Sequence, residues 1–216
     1  MRETGCRAGR PVSFTCDGGL LEHLILTHGA GSNRNAPLLV VLSNALVESG
    51  MSVVRYDLPF RQERPHGPPR PGDAARDREG LRAEILKIRE AKSDRVWLGG
   101  HSYGGRQASL LAAEMPGLVD GLLLLSYPLH PPRKPAQLRT AHFPQLQTPA
   151  LFVHGSRDPF GSLEEMRQAI ALIPAETRLM EVAGAGHELG RDHAELARRV
   201  VSALGERARL GSPDVV

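Results

Sequence analysis

A serine at the centre of a short glycine-rich segment is the residue of this sequence best suited to covalent chemistry. Residues 100–104 read Gly-His-Ser-Tyr-Gly, which places Ser102 in the pattern G-x-S-x-G. An apolar run at residues 95–99 precedes the pattern, and a small-residue stretch at residues 107–113 follows it. That order of strand, tight turn and helix exposes a serine hydroxyl, and the glycines let the turn pack closely. The segment therefore predicts that Ser102 is a nucleophile.

A serine nucleophile needs a base and an orienting acid, and both residue types follow later predicted strands. Asp158 closes the sequence His-Gly-Ser-Arg-Asp after a predicted strand at residues 149–153, and His187 follows a predicted strand at residues 177–182. Nucleophile, acid and histidine in this order along the chain are one of the known orders of a serine catalytic triad. Because the carboxyl ends of parallel strands share one edge of a sheet, we predict a triad of Ser102, Asp158 and His187.

Three other carboxylates are alternatives to Asp158 as the acid. Glu188 would have to fold back onto the adjacent histidine, and Asp192 has the spacing of a helix cap. Asp57 directly follows residues 52–56 of a predicted strand and is the best substitute.

A second glycine-rich segment is suited to stabilising negative charge on a substrate oxygen. Residues 28–31 read His-Gly-Ala-Gly and follow a predicted strand at residues 23–27. We assign an oxyanion hole to the backbone amides of Ala30 and Tyr103, the latter being the residue after the nucleophile. The remaining residues predicted to contact substrate are Gly29, Gly31, His101 and Tyr127.

The elements that must position these groups alternate along the chain, as in βαβ proteins. The predicted strands lie at residues 23–27, 52–58, 95–99, 121–126, 149–153 and 177–182, with a weaker one at 12–15. The predicted helices lie at residues 37–48, 80–92 and 107–115, and two more begin at the capping-box pairs Ser162/Glu165 and Asp192/Glu195. This alternation predicts an α/β fold with a mostly parallel central sheet and helices on both faces.

Length and composition limit the classes of protein that remain. The 216 residues carry 27 Lys and Arg against 24 Asp and Glu, a formal net charge of +3, and 41% are apolar. These values predict one globular domain spanning residues 1–216, with its core at about residues 12–210 and flexible tails at 1–11 and 211–216. Dispersed arginines give little support to nucleic-acid binding. Without a long apolar run or a signal peptide, we expect no membrane association and a cytoplasmic location.

Cofactor and metal motifs are incomplete. The two cysteines, Cys6 and Cys16, belong to no metal or redox motif and are expected to be free thiols. The glycines near residue 30 miss the dinucleotide pattern G-x-G-x-x-G, and His187 and His193 miss the spacing of H-E-x-x-H. We therefore expect no cofactor and no metal.

Four motifs, taken together, resemble those of a known superfamily. They lie at residues 28–31, 100–105 (Gly-His-Ser-Tyr-Gly-Gly), 154–158 and 186–187 (Gly-His). From about residue 23 to 210 the chain resembles the α/β-hydrolase superfamily, and its short length is similar to the dienelactone-hydrolase-like branch. The resemblance implies a serine hydrolase fold with Ser102, Asp158 and His187 as nucleophile, acid and base. Dienelactone hydrolases proper use cysteine as the nucleophile, whereas this chain has Ser102.

These residues favour a hydrolase that cleaves small ester or thioester substrates through an acyl-enzyme on Ser102. One alternative is a non-catalytic interaction module, because the Thr-His-Gly-Ala-Gly segment at residues 27–31 is similar to a subgroup with a chromatin-associated member not known mainly as an enzyme. The other is an acyltransferase that uses the same acyl-enzyme. Monomer and homodimer both remain open.

Two irregular segments bear on substrate access. The segment at residues 130–148 is short and rich in proline, which predicts a minimal cap and an open, shallow pocket for small acyl groups. With residues 60–72 it carries several basic side chains that could favour carboxylated esters. They are Arg61, Arg64, Arg70, Arg133 and Lys134.

Overall fold

A parallel sheet organises the computed structural model, which describes residues 22–91 and 95–210. Within these residues six strands pair in the order β2-β1-β3-β4-β5-β6, and every pair is parallel. The strands are β1 (Glu22–Thr27), β2 (Ser52–Tyr56), β3 (Arg95–His101), β4 (Gly121–Leu125), β5 (Ala150–Gly155) and β6 (Thr177–Val182). The weak strand predicted at residues 12–15, both cysteines and the predicted tails lie outside the described residues.

The described part of the chain contains six helices, of which five lie between strands and α6 follows β6. They are α1 (Pro37–Glu48), α2 (Pro59–Glu63), α3 (Asp73–Ala91), α4 (Tyr103–Glu114), α5 (Leu163–Ile170) and α6 (His193–Leu210). The capping box predicted for α5 is present in both directions between Ser162 and Glu165. At the start of α6 the Asp192 carboxylate accepts a hydrogen bond from the Glu195 amide at 3.0 Å. Among the helices described, none combines the length and the apolarity needed to span a membrane.

Alternate residues of the strands supply two apolar cores, one on each face of the sheet. In β1 the side chain of Ile25 joins one core, while Leu24 and Leu26 join the other. The first core receives α3 and α4 through residues such as Leu81 and Ala108, and the second receives α1 and α6. The predicted α/β class with helices on both faces is confirmed.

Several predicted boundaries differ from the structure. Helix α3 begins at Asp73 rather than at residue 80, because the Asp73 carboxylate accepts from the Arg70 amide and pairs with the Arg64 and Arg76 side chains. Helix α4 begins at Tyr103 rather than residue 107, directly after the serine turn. The segment at residues 130–148 contains one short 3₁₀ turn, Phe143–Gln145.

Candidate active site

Ser102 lies on a strained turn between β3 and α4. Its backbone has φ 52° and ψ −114°, a combination that side-chain-bearing residues rarely adopt. Two hydrogen bonds hold the turn: the Ser102 amide donates to the Leu125 carbonyl at 2.8 Å, and the Ser102 carbonyl accepts from the Arg106 amide at 3.0 Å. Strand β4 and the first turn of α4 thus keep the serine at the carboxyl edge of the sheet.

The glycines flanking Ser102 are required by close backbone approach. A Cβ atom added to Gly100 would lie 2.6 Å from the carbonyl carbon of Gly104 and 2.7 Å from the amide nitrogen of Gly105. A Cβ added to Gly104 would lie 2.6 Å from the His28 carbonyl oxygen. These distances are below van der Waals contact, so the G-x-S-x-G spacing allows the turn to close against β1.

The three predicted triad side chains form one hydrogen-bonded chain. His187 Nε2 is 2.8 Å from Ser102 Oγ, and His187 Nδ1 is 2.8 Å from Asp158 Oδ2. An ionised carboxylate only accepts, so Nδ1 carries the hydrogen and Nε2 presents a lone pair to the serine hydroxyl. The Asp158 side chain is fully buried, whereas the imidazole of His187 is 17% exposed. This arrangement can withdraw a proton from Ser102.

Neighbouring groups fix the acid and the histidine. The second Asp158 oxygen accepts from the Phe160 amide at 2.8 Å, and the Phe160 ring lies 4.2 Å from the imidazole of His187, centroid to centroid. His101 Nε2 donates to the His187 carbonyl oxygen at 2.9 Å. Burial lowers the pKa of His101, which favours the neutral form of that ring. Phe160 was not predicted, because only a contact across the fold identifies it.

The end of β5 meets the loop that carries His187. A Cβ atom added to Gly155 would lie 2.4 Å from the Ala185 carbonyl oxygen and 2.5 Å from that of Gly186. The glycine in the His-Gly-Ser-Arg-Asp motif therefore lets the acid and histidine loops approach each other.

Two carbonyl groups of the loop at residues 28–31 accept hydrogen bonds from side chains of the protein. The Gly29 oxygen accepts from His28 Nδ1 at 2.8 Å, and the Ala30 oxygen accepts from Arg61 Nη2 at 2.9 Å. In a trans peptide the N–H points opposite to the carbonyl of the same unit. The amides of Ala30 and Gly31 consequently point away from His28 and Arg61, and neither donates to any group in the described residues.

The Tyr103 amide is the other predicted oxyanion donor. Tyr103 is the first residue of α4, and its N–H has no acceptor among the residues described. Its side chain is held by a 2.7 Å hydrogen bond from the hydroxyl to buried Asp77, whose pKa is raised mainly by burial. The helix start therefore presents a free amide beside Ser102.

Arg61 is buried under the glycine-rich loop, which corrects the hypothesis that it binds anionic substrates from a long loop. Its Nε donates to the Ser32 carbonyl at 2.7 Å, in addition to the Ala30 contact. Further donations go to the carbonyls of Arg64 and Gly67. Its role was not predicted, since its acceptors lie up to 31 residues away.

The remaining basic side chains of that hypothesis are also absent from the candidate site. Arg64 pairs with Asp73. Neither it nor Arg70, Arg133 or Lys134 is among the described residues that line the cavity at Ser102.

Two of the three rival carboxylates accept hydrogen bonds elsewhere. Asp57 Oδ1 accepts from the Arg34 amide at 2.6 Å, and Asp192 caps α6. Glu188 is exposed and lines the cavity at Ser102. Asp158 is the carboxylate bonded to His187.

Tyr127 does not lie in the site, and its predicted contact with substrate is wrong. Its ring is fully buried between Phe143 and Phe152, and its hydroxyl donates to the Arg139 carbonyl at 2.7 Å. Burial raises its pKa to about 12. The chain turns inward after β4, so a position just past a strand end faces the core here.

A cavity of about 440 Å³ opens above Ser102. Its lining includes the triad histidine and three of the predicted substrate contacts, Gly29, Gly31 and His101. Among the described residues that line it, none comes from the segment at 130–148. In the described residues no cluster of three or more histidine, cysteine or acidic side chains is placed to hold a metal ion.

A parallel α/β sheet with a serine turn, a later acid and a later histidine at its carboxyl edge defines the α/β-hydrolase class. A family model described as an alpha/beta hydrolase domain matches residues 21–204, and the chain belongs to that family.

Solved structures share the fold at low sequence identity. An alpha-beta serine hydrolase homologue from Coxiella burnetii has a TM-score of 0.70 and 22% identity, covering 87% of this chain and 88% of its own. A dienelactone hydrolase from Anabaena variabilis has a TM-score of 0.68 and 21% identity, covering 88% and 86%. Est1E from Butyrivibrio proteoclasticus has a TM-score of 0.69 and 16% identity, covering 88% and 89%. The resemblance to dienelactone hydrolase is thus present in the fold.

Proposed function

We propose that this protein is a serine hydrolase that cleaves small ester or thioester substrates through an acyl-enzyme on Ser102. The observation that carries the proposal is the hydrogen-bonded chain from Asp158 through His187 to Ser102, which ends at an open cavity. Family membership and the likeness to hydrolase structures support it.

In the first step Ser102 Oγ attacks the substrate carbonyl carbon while His187 Nε2 accepts the hydroxyl proton. The ionised Asp158 carboxylate stabilises the imidazolium through the Nδ1 hydrogen bond. The developing oxyanion accepts from the amides of Ala30 and Tyr103. When the tetrahedral intermediate collapses, His187 returns the proton to the leaving alcohol or thiol, and the acyl group stays on Ser102.

In the second step water attacks the acyl carbon from the open side of the cavity. His187 accepts a proton from that water, and the same two amides stabilise the second oxyanion. Collapse releases the acid and returns the proton to Ser102 Oγ. Each proton therefore passes through His187 Nε2.

The size of the cavity supports small substrates. About 440 Å³ is near the lower end of ligand sites in general. With none of its described lining drawn from residues 130–148, long acyl chains would extend into solvent. We expect kcat/KM for p-nitrophenyl esters to decrease as the acyl chain grows beyond a few carbons.

A fluorophosphonate probe tests the proposal directly. The wild-type protein should be labelled and should hydrolyse p-nitrophenyl acetate, whereas Ser102→Ala should do neither while keeping its circular dichroism spectrum. Ser109→Ala is the matched control, because Ser109 is buried in α4 and contacts His142 rather than the triad. Absence of labelling of folded wild-type protein would overturn the proposal in favour of an interaction module.

A further inference from the structure

A second, smaller cavity adjoins the one above Ser102. It measures about 170 Å³ and shares Gly29, Ser32, His101 and Glu188 with the larger cavity. The rest of its lining comprises residues 36–39 at the start of α1, which are apolar, together with His28 and His193. A substituent of a substrate bound at Ser102 can therefore enter a short side compartment.

His101 supplies a hydrogen-bond acceptor at the boundary of the two cavities. Its Nε2 faces the His187 carbonyl, which only accepts, so Nε2 carries the hydrogen and Nδ1 carries a lone pair. Nδ1 has no hydrogen-bond partner within the described chain. A Cβ atom added to Gly29 would lie 3.1 Å from this Nδ1 and 3.5 Å from Ser102 Cβ, so the acceptor is close to the nucleophile.

The charged groups around the compartment also favour a ligand that donates hydrogen bonds and carries no negative charge. Glu188 is exposed and forms no ion pair with any described residue. No lysine or arginine is among the described residues that line either cavity. The boundary thus offers acceptors to a ligand and repels a carboxylate.

We propose that the side cavity is a subsite for a short substituent bearing a hydroxyl group, which donates to His101 Nδ1. The inference rests on the proposed hydrolase function and names its substrate class as hydroxylated esters. The apolar wall at residues 36–39 contacts the carbon atoms of the substituent. The hydroxyl belongs either to the acyl group or to the alcohol, and both sources present the same donor.

Matched ester pairs test the subsite. On the acyl side, p-nitrophenyl glycolate is compared with p-nitrophenyl methoxyacetate; on the alcohol side, 2-hydroxyethyl acetate is compared with 2-methoxyethyl acetate. Each pair keeps the electron-withdrawing oxygen, but only the hydroxyl donates. We expect kcat/KM to favour the hydroxyl ester of one pair by roughly three- to tenfold, as one neutral hydrogen bond provides. The pair that responds identifies the source.

Variants separate the acceptor from a structural role of His101. His101→Leu lacks both ring nitrogens and should abolish the preference, whereas His101→Asn keeps an acceptor near the Nδ1 position and should retain it. Gly29→Ala covers Nδ1 with a methyl group and should also reduce the preference. The ratio within a pair is the readout, because loss of the bond to the His187 carbonyl lowers turnover of both esters equally.

Failure of the subsite proposal and failure of the proposed hydrolase function would give different results. If the wild type hydrolyses both members of both pairs equally, or His101→Leu keeps the preference, the subsite is wrong while the hydrolase function stands. If no ester is hydrolysed and no probe labels Ser102, the proposed function falls and the subsite with it.

Discussion

Ser102 combines backbone strain with exposure to a cavity. Its φ of 52° and ψ of −114° lie where a Cβ atom is disfavoured, and residues held in such regions cost about 1–3 kcal/mol each. The bonds to Leu125 and Arg106 maintain that conformation. A strained serine with a free face toward substrate is the arrangement expected when the hydroxyl is needed for reactivity rather than for packing.

Replacing Ser102 by glycine should therefore stabilise the fold while abolishing activity. Compared with Ser102→Ala, which also lacks the hydroxyl but keeps Cβ, Ser102→Gly should have a free energy of unfolding about 1 kcal/mol higher. Urea denaturation of the two variants measures the difference. Equal stabilities would show that the turn stores no strain.

The sequence was sufficient to find residues that belong to local motifs, and insufficient for those defined by long-range contacts. Ser102, Asp158 and His187 each follow a strand in a short pattern, so parallel topology alone predicts that they meet. Tyr127 also follows a strand, but its ring turns into the core. Arg61 is bonded to the oxygen of a residue 31 positions earlier, and no periodicity reports such a contact.

At the scale of elements, the loop at residues 28–31 depends on a side chain from α2. Arg61 is a cation buried to 6% exposure, and its contacts to the carbonyls of Ala30 and Ser32 help to orient the amides of the loop. The planar guanidinium supplies several donors in fixed directions, which an ammonium group does not reproduce.

Arg61→Lys should consequently lower kcat for p-nitrophenyl acetate by roughly 10- to 100-fold with little change in KM, because displaced oxyanion donors act mainly on the transition state. Arg64→Lys is the control, since the Arg64 side chain pairs with Asp73. A folded Arg61→Lys protein with wild-type kcat would rule out this positioning role.

The close contact between the end of β5 and the loop that carries His187 can also be tested by substitution. Gly155→Ala would place a methyl group 2.4 Å from the Ala185 oxygen, so the loop must move. We expect a loss of about 1–3 kcal/mol in stability and of roughly 100-fold in kcat. Gly205→Ala, in α6 with no atom within 4 Å of the new methyl, should instead stabilise by up to about 1 kcal/mol. A Gly155→Ala protein with normal kcat would show that this close approach does not position His187.

At the scale of the whole molecule, the alternation of strands and helices predicted the class of fold but not the order of the strands. Strand β1 lies between β2 and β3, so the direction of winding changes there. Both the loop at residues 28–31 and Ser102 follow strands at that change, where open α/β sheets bind ligands. Pairing of strands distant in sequence is decided by packing on both faces, which a single sequence pattern does not encode.

Stability should also depend on the pH through buried histidines. Burial lowers the pKa values of His28, His101 and His142, the last to about 4 with a further contribution from the charge of Arg106. Below the unfolded value of about 6.5, the unfolded chain binds more protons than the folded chain. The free energy of unfolding should therefore fall as the pH decreases from about 6.5 toward 4.

His142→Gln isolates one of these contributions. Between pH 7 and pH 5 the wild type should lose on the order of 1 kcal/mol more than the variant, allowing for partial exposure of this ring. Urea denaturation at both pH values gives the comparison, in which all other titrating groups cancel. Identical losses in the two proteins would show that His142 titrates alike in the folded and unfolded chains.

A rapid-quench reaction with p-nitrophenyl acetate, followed by peptide mass mapping, tests most directly whether Ser102 carries the acyl group. We expect a burst of p-nitrophenol approaching one equivalent of protein and an acetyl group on the peptide that contains Ser102, with neither in Ser102→Ala. An acetyl group on any other residue, or wild-type turnover by Ser102→Ala, would contradict this expectation.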